Sequence, residues 1–179
     1  MKSIRRMTQA ELAAYVQSHL LKKGIKVILS GGAAVSIYTV NEYVSADIDL
    51  VDVNFTDRKK IIAAMEEIGF HEKNRYFIHP DTKQFVEFPP GPLSVGEEPV
   101  KRIKEIKYST GILRVISPTD CVKDRLAAYY FWKDQQSLTQ AILVAKHNRI
   151  SISEIKRWSQ TTGNMKEFKI FLGKHSAKK

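Results

Sequence analysis

The sequence has one cysteine and no long apolar run. Since Cys121 stands alone among 179 residues, neither an intramolecular disulfide nor a zinc site made of cysteines can form. This cysteine usage is typical of a reducing compartment and predicts a cytoplasmic protein. The basic segment Met1–Arg6 leads into a polar pattern, not into the apolar stretch of about 7 to 15 residues that marks a signal peptide. Since no run reaches the roughly 18 apolar residues of a membrane span either, we expect no membrane partner.

Acidic residues are scarce relative to basic ones. The chain has 19 Asp and Glu against 29 Lys and Arg, which gives a formal net charge of +10. Such a balance attracts polyanions, either nucleic acid, nucleotide phosphates or an acidic protein. Lys101–Lys107 could follow an RNA backbone, but a solvated loop beside a strand is the preferred interpretation. We interpret Lys174–Lys179 as a solvated tail.

The hydrophobic pattern predicts an α/β half followed by a helical region. Helices are predicted at 8–22, 33–38 and 56–68, and strands at 26–30, 47–53, 75–79, 84–88 and 111–116. Further helices are predicted at 122–133, 137–147, 153–159 and 165–172, after Pro118. The predicted fold class is therefore α+β (mixed α/β). The predicted domains are an α/β core at 1–116 and a helical C-terminal region with a basic tail at 117–179.

Two aspartates on the second predicted strand are the first candidates for chemistry. Asp47 and Asp49 lie two residues apart, so both carboxylates point to one face of the strand. Two carboxylates that point together repel each other unless a cation lies between them. Oxygen ligands of this kind suit Mg²⁺ or Mn²⁺. Because Asp-x-Asp alone also occurs on solvated strand faces, the motif needs support from its surroundings.

That support comes from the turn that precedes the aspartates. Gly31 and Gly32 lack Cβ atoms, so a phosphate can approach the backbone N–H groups at the start of the next helix. Ser30 can add a hydroxyl donor. Glu87 is the candidate third carboxylate, because it is an acid inside an otherwise apolar predicted strand.

The order of these elements resembles the signature of the DNA polymerase β-like nucleotidyltransferase superfamily. It reads Ile28-Leu29-Ser30-Gly31-Gly32-Ala33-Ala34-Val35, followed by Ala46-Asp47-Ile48-Asp49-Leu50. The resemblance covers about residues 25–118, and within the superfamily it is to small prokaryotic members of the AbiEii toxin type. Many relatives have an Arg and a Thr shortly before the paired aspartates, where this sequence has Val44-Ser45-Ala46.

The resemblance implies a nucleotidyltransferase-like mixed sheet flanked by helices. It also implies transfer of a nucleotidyl group from a nucleoside triphosphate to a hydroxyl acceptor. Asp47 and Asp49 would bind the Mg²⁺ or Mn²⁺ ions, and Glu87 would complete the ion near the acceptor. The remaining residues implied to bind nucleotide are Ser30, Gly31, Gly32, Lys123 and Lys133. The basic charge makes tRNA or another RNA the first acceptor to test. The subfamily implies a toxin–antitoxin or phage-defence setting with a cognate antitoxin or toxin protein.

Other interpretations stay open from the sequence. The departures before the aspartates allow a catalytically weak module that binds nucleic acid or a partner protein. A small-molecule or protein acceptor is a further alternative. Lys123 and Arg125 are explained equally well as the exposed face of a helix. The aromatic run Tyr129–Trp132 could stack a base, but packing between helix and sheet is the preferred interpretation. The histidines show no paired metal spacing.

Overall fold

Residues 2–177 are described by a computed structural model, which places seven α-helices and nine β-strands in this range. The strands are β1 Val27–Ser30, β2 Asp47–Asp52, β3 His71–Lys73, β4 Tyr76–Ile78, β5 Phe85–Glu87, β6 Ser94–Val95, β7 Glu98–Pro99, β8 Ile103–Tyr108 and β9 Gly111–Ile116. The helices are α1 Gln9–Lys22, α2 Gly31–Tyr38, α3 Arg58–Glu66, α4 Pro118–Trp132, α5 Gln135–His147, α6 Ile152–Thr161 and α7 Met165–Ser176. Part of the predicted basic tail, Lys178 and Lys179, lies outside the described range.

Seven of the strands form one mixed sheet, in the order β3-β4-β5-β2-β1-β9-β8. The central strand β1 pairs antiparallel with β2 and parallel with β9, and β2 pairs parallel with β5. Strands β6 and β7 form a separate two-stranded ribbon. Because helices pack against this mixed sheet, the predicted fold class is confirmed.

Local sequence signals explain where several helices begin. Thr8 forms a reciprocal capping box with Glu11 at the start of α1, which satisfies backbone N–H groups that have no partner within the helix. Ser117 caps the start of α4, and Pro118 follows it in the first turn. The missing N–H of proline costs nothing at this position.

The C-terminal helices share their hydrophobic core with the sheet. Buried residues of α4 to α7, including Leu126, Leu138, Ile155 and Phe168, belong to the same cluster as Leu29 of β1. Burial of apolar surface is the main favourable term in folding. The helices therefore brace the sheet, and α4 packs against α2, the helix that follows β1.

The structure corrects some sequence predictions. The interpretation of Lys101–Lys107 as a loop is wrong, because most of this segment forms the edge strand β8. An edge strand faces solvent along much of its length, so it lacks the apolar alternation on which the prediction depended. Strand β3 and the β6–β7 ribbon were not predicted, and helix α2 begins at Gly31 and not at Ala33. No helix within residues 2–177 is long and apolar enough to span a membrane.

Candidate active site

The register of the sheet brings the predicted acidic residues together. Asp49 of β2 lies opposite Ser30 of β1 on one side and opposite Glu87 of β5 on the other. Asp47 is two residues earlier on β2, so it shares the face of Asp49. Carboxylate oxygens of Asp47, Asp49 and Glu87 all lie within 4.8 Å of one another. These three residues, called the carboxylate cluster below, are the only group of this kind found in the described range.

Gly31 is required by the geometry beside the cluster. Its φ is +63°, and a Cβ atom at this position would lie 2.0 Å from Asp49 Oδ2. At Gly32, a Cβ would lie 2.7 Å from Ser45 Oγ. Since carbon and oxygen in contact stay more than 3 Å apart, Gly31 needs to be glycine, whereas a Cβ at Gly32 would displace the Ser45 hydroxyl. The two glycines begin α2, so the first N–H groups of this helix lie next to the carboxylates. The Ser30 side chain makes no capping hydrogen bond to these N–H groups.

Asp49 holds its proton more tightly than a free aspartate does. Burial, and then the negative charges of Asp47 and Glu87, raise the pKa of Asp49 to about 7. The positive charge of Arg125 acts in the opposite direction but does not overcome them. Three acids held together without a full complement of positive charge are costly for the fold. A cation bound between the carboxylates would relieve this repulsion.

Asp47 is held in place by a hydrogen-bond network that connects α1 and α2 to the segment before β2. Ser45 Oγ donates to Asp47 Oδ1. The Ser45 backbone N–H donates to Ser36 Oγ at 2.9 Å, and Ser36 Oγ donates to the Gly32 carbonyl at 3.3 Å. Gln9 Nε2 donates to the Ser45 carbonyl at 2.9 Å. The sequence marked Ser45 only as a departure from the family pattern, whereas the structure places it as the hydrogen-bond donor of Asp47.

Two arginines that the sequence analysis did not assign to the site face the carboxylate cluster. Arg75, just before β4, places Nε 3.2 Å from Glu87 Oε1. Arg125 of α4 binds Asp124 through Nη2 at 2.5 Å and Gln140 through Nη1 at 3.4 Å. The sequence predicted Arg75 as the first residue of a strand at 75–79, and this pattern gave no signal for a contact with Glu87. The structure places Arg75 in the β3–β4 turn instead. The alternative that Arg125 lies on an exposed helix face is wrong, because four fifths of its side chain is buried.

The two predicted nucleotide-binding lysines engage other partners. Lys123 is only 2% exposed, and its Nζ lies 3.5 to 3.6 Å from carboxylate oxygens of Glu98, Asp120 and Glu154. The exposed-face alternative is therefore wrong for Lys123 as well. Lys133 Nζ lies 2.8 Å from Glu167 Oε1 on the surface. A nucleotide-binding role for either lysine remains a prediction.

The structure divides the aromatic run at the end of α4. Tyr129 and Tyr130 are buried, and Tyr130 stacks on Trp158 with ring centroids 5.4 Å apart. Packing therefore accounts for these two residues, but the partner of Tyr130 is helix α6 and not the sheet that the sequence interpretation named. Phe131 and Trp132 are 53% and 76% exposed, so packing does not account for them.

Sequence comparisons give no family for this chain. No protein-family model matches it, and no curated protein matches it. Its fold, in contrast, is recognisable.

The chain has the nucleotidyltransferase fold. It is similar to the crystal structure of ANT(2")-Ia in complex with adenylyl-2"-tobramycin, with a TM-score of 0.52 and 13% identity over 96% of this chain and 98% of that chain. ANT(2")-Ia is an aminoglycoside nucleotidyltransferase. A solution structure of the antibiotic-resistance factor ANT(2")-Ia aligns with 91% of this chain and 88% of that one, at 12% identity and a TM-score of 0.47. At this identity the likeness shows the fold alone.

Proposed function

We propose that this protein is a metal-dependent nucleotidyltransferase that uses a nucleoside triphosphate. The observation that carries the proposal is the carboxylate cluster, whose oxygens lie within 4.8 Å of one another beside the glycines that begin α2. The metal follows from the donor set, because several close carboxylate oxygens match the preference of Mg²⁺ and Mn²⁺. The nucleotidyltransferase fold supports this assignment.

Asp47, Asp49 and Glu87 are the residues that would hold the metal. When bound, Mg²⁺ or Mn²⁺ activates the attacking oxygen and neutralises charge on the leaving pyrophosphate. In the transfer, the acceptor oxygen forms a bond to the α-phosphorus, while the bond from this phosphorus to the pyrophosphate oxygen breaks. The N–H groups of Gly31 and Gly32 bind the triphosphate, which the positive end of the α2 dipole also attracts. Ser30 Oγ, which makes no capping bond, is free to donate to a phosphate oxygen.

The first acceptor in this proposal is RNA, with tRNA as the substrate to test first. The formal charge of +10 supports it, because positively charged surfaces concentrate nucleic acid. The toxin–antitoxin or phage-defence setting, with a cognate partner protein, rests on the sequence resemblance and remains a prediction, as does a cytoplasmic location. A small-molecule hydroxyl is the second candidate acceptor, favoured by the adenylylated tobramycin bound in the similar structure.

The test is an acceptor screen with each of the four nucleoside triphosphates labelled at the α-phosphate. Wild type with Mn²⁺ is expected to transfer label to tRNA, or to a hydroxylated small molecule, and to release pyrophosphate. Asp49→Asn is expected to lose this transfer at least about a hundredfold, because a metal ligand is removed. If the protein binds RNA equally well with and without this substitution and never transfers label, the catalytically weak binding module is the better description.

A further inference from the structure

Arg75 occupies the position next to the third carboxylate of the cluster. Its Nε lies 3.2 Å from Glu87 Oε1, and its Nη2 donates to the Tyr76 hydroxyl at 2.7 Å. Its guanidinium carbon lies 4.9 Å from the Tyr76 ring centroid. The hydrogen bond to Tyr76, followed by the negative charges of Glu87 and Asp49, raises the pKa of Arg75. A positive charge therefore already balances part of the cluster.

The two arginines near the cluster differ in their freedom to move. Arg125 is held by Asp124 and Gln140, and four fifths of its side chain is buried. Arg75 is 69% exposed and extends from the turn between β3 and β4. An exposed ion pair of this kind contributes little stability. Arg75 can therefore leave Glu87 at small cost, whereas Arg125 cannot leave its partners so easily.

A divalent cation on Glu87 repels the guanidinium that now pairs with this carboxylate. The nearest alternative partner of suitable charge and shape is a polyphosphate brought to the cluster with the metal, because a guanidinium matches phosphate oxygens in two-point contacts. Tyr76 keeps the arginine at the edge of the cluster through its hydroxyl and its ring.

We infer that Arg75 is a substrate-binding residue that pairs with Glu87 in the metal-free protein and with the triphosphate in the loaded one. This inference rests on the proposed function, because it takes the metal and the triphosphate from it. It assigns Arg75 two effects of opposite sign. The residue competes with the metal for Glu87, and it strengthens the binding of the polyphosphate that follows.

The experiment measures both effects by calorimetry on wild type and Arg75→Ala. Mn²⁺ alone is titrated first. Inorganic tripolyphosphate is then titrated at saturating Mn²⁺, since this probe avoids any base preference. Lys73→Ala is the matched control, because Lys73 is exposed on the same hairpin and lies opposite Tyr76. It removes one positive charge from the hairpin without removing the contact to Glu87.

Arg75→Ala is expected to bind Mn²⁺ about twofold to fivefold more tightly, because the metal no longer has to displace a surface ion pair from Glu87. It is expected to bind tripolyphosphate at least about tenfold more weakly, because a charge-assisted contact to the phosphate oxygens is lost. Lys73→Ala should change both affinities less than about twofold. Arg75→Lys should recover part of the tripolyphosphate affinity, because its charge remains without the two-point geometry.

Several results would overturn the inference. They are weakening of both affinities in Arg75→Ala, no change in either, or tighter Mn²⁺ binding without loss of tripolyphosphate affinity. An equal effect in Lys73→Ala would reduce Arg75 to a general charge contribution and would also overturn it. If wild type binds no Mn²⁺, the proposed function fails together with the inference, whereas normal wild-type binding with an unaffected variant refutes the role of Arg75 alone.

Discussion

At the scale of single residues, the carboxylate cluster depends on Gly31 having no side chain. Gly31 lies so close to Asp49 that a Cβ would be 2.0 Å from Asp49 Oδ2. The glycine is thus part of the site and not only a feature of the turn. From the sequence, Gly31 was predicted to admit a phosphate, but the contact with Asp49 could not be predicted, because it depends on the β1–β2 register.

Gly31→Ala is expected to damage both the fold and the metal site. Gly24→Ala is the matched control, because Gly24 also has a positive φ, +78°, but has nothing within 4 Å of an added Cβ. Both substitutions cost about 1 to 2 kcal/mol for the left-handed backbone. Gly31→Ala should cost about 1 to 3 kcal/mol more for overpacking, and it should weaken Mn²⁺ binding at least about tenfold. Urea unfolding and calorimetry measure the two effects, and equal results for the two variants would contradict this account of Gly31.

Asp49 gives the metal-free protein a pH-dependent stability. Its pKa is raised from 3.8 to about 7 in the folded chain. Between these two values the folded chain keeps a proton that the unfolded chain releases, so the free energy of unfolding falls as the pH rises. Above pH 7 the loss is complete and amounts to at most about 4 kcal/mol, at about 1.4 kcal/mol for each pH unit.

Asp49→Asn removes this pH-dependent loss of stability, because asparagine does not ionise. In the presence of a chelator, the variant should gain stability relative to wild type as the pH rises from about 4 to about 7, and the gain should then level off. Urea unfolding at a series of pH values measures it. Asp81→Asn, which changes an exposed aspartate, should show a pH-independent difference within about 0.5 kcal/mol of wild type. A stability difference for Asp49→Asn that does not rise over this range would show that burial and the neighbouring carboxylates do not raise the pKa of Asp49.

At the scale of elements, the predictable parts are those with strong local patterns. Strands β1, β2 and β5 were predicted because their apolar residues form short runs or alternate. Their register, which puts Ser30, Asp49 and Glu87 in one row across the sheet, is a property of pairing and not of any one segment. Strand β8 was missed because its edge position removes the need for an apolar face.

Helix α4 also shows that a local sequence pattern does not predict the partners of its side chains. The sequence put Lys123 and Arg125 on one exposed face as an alternative to phosphate binding, yet both are mostly buried and point to different partners. Arg125 acts on Asp49, whereas Lys123 connects α4 to Glu98 of β7 and Glu154 of α6. Periodicity describes one apolar stripe, so it cannot predict two buried polar side chains that leave one helical turn on nearly opposite sides.

Substitution of the two lysines separates structural from substrate-binding roles. Lys123→Met leaves three acids near one another without their shared cation, so it should lower the free energy of unfolding by about 2 to 4 kcal/mol. Lys133→Met removes only an exposed pair with Glu167 and should cost less than about 1 kcal/mol. Chemical unfolding measures both. If Lys123→Met keeps its stability but loses triphosphate affinity, Lys123 binds nucleotide, as the family resemblance implied.

At the scale of the whole molecule, the candidate site is assembled from parts that are distant in the sequence. Its residues come from β1, α2, β2, β5, α4 and the turn before β4. In the sequence they extend from Ser30 to Arg125. The order of the local motif made the mixed sheet predictable through resemblance. The contributions of Ser45, Arg75 and Arg125 were not predictable, because they follow from how the elements pack.

The most direct test of the whole account is Mn²⁺ binding by calorimetry, on wild type and on Asp47→Asn/Asp49→Asn. Glu97→Gln, which changes an exposed acid of the β6–β7 turn, serves as the control. The account predicts that wild type and the control bind Mn²⁺ with the same affinity and that the double variant, still folded, binds at least about a hundredfold more weakly. Equal binding by wild type and the double variant, or no binding by wild type, would contradict the assignment of the carboxylate cluster as a metal site.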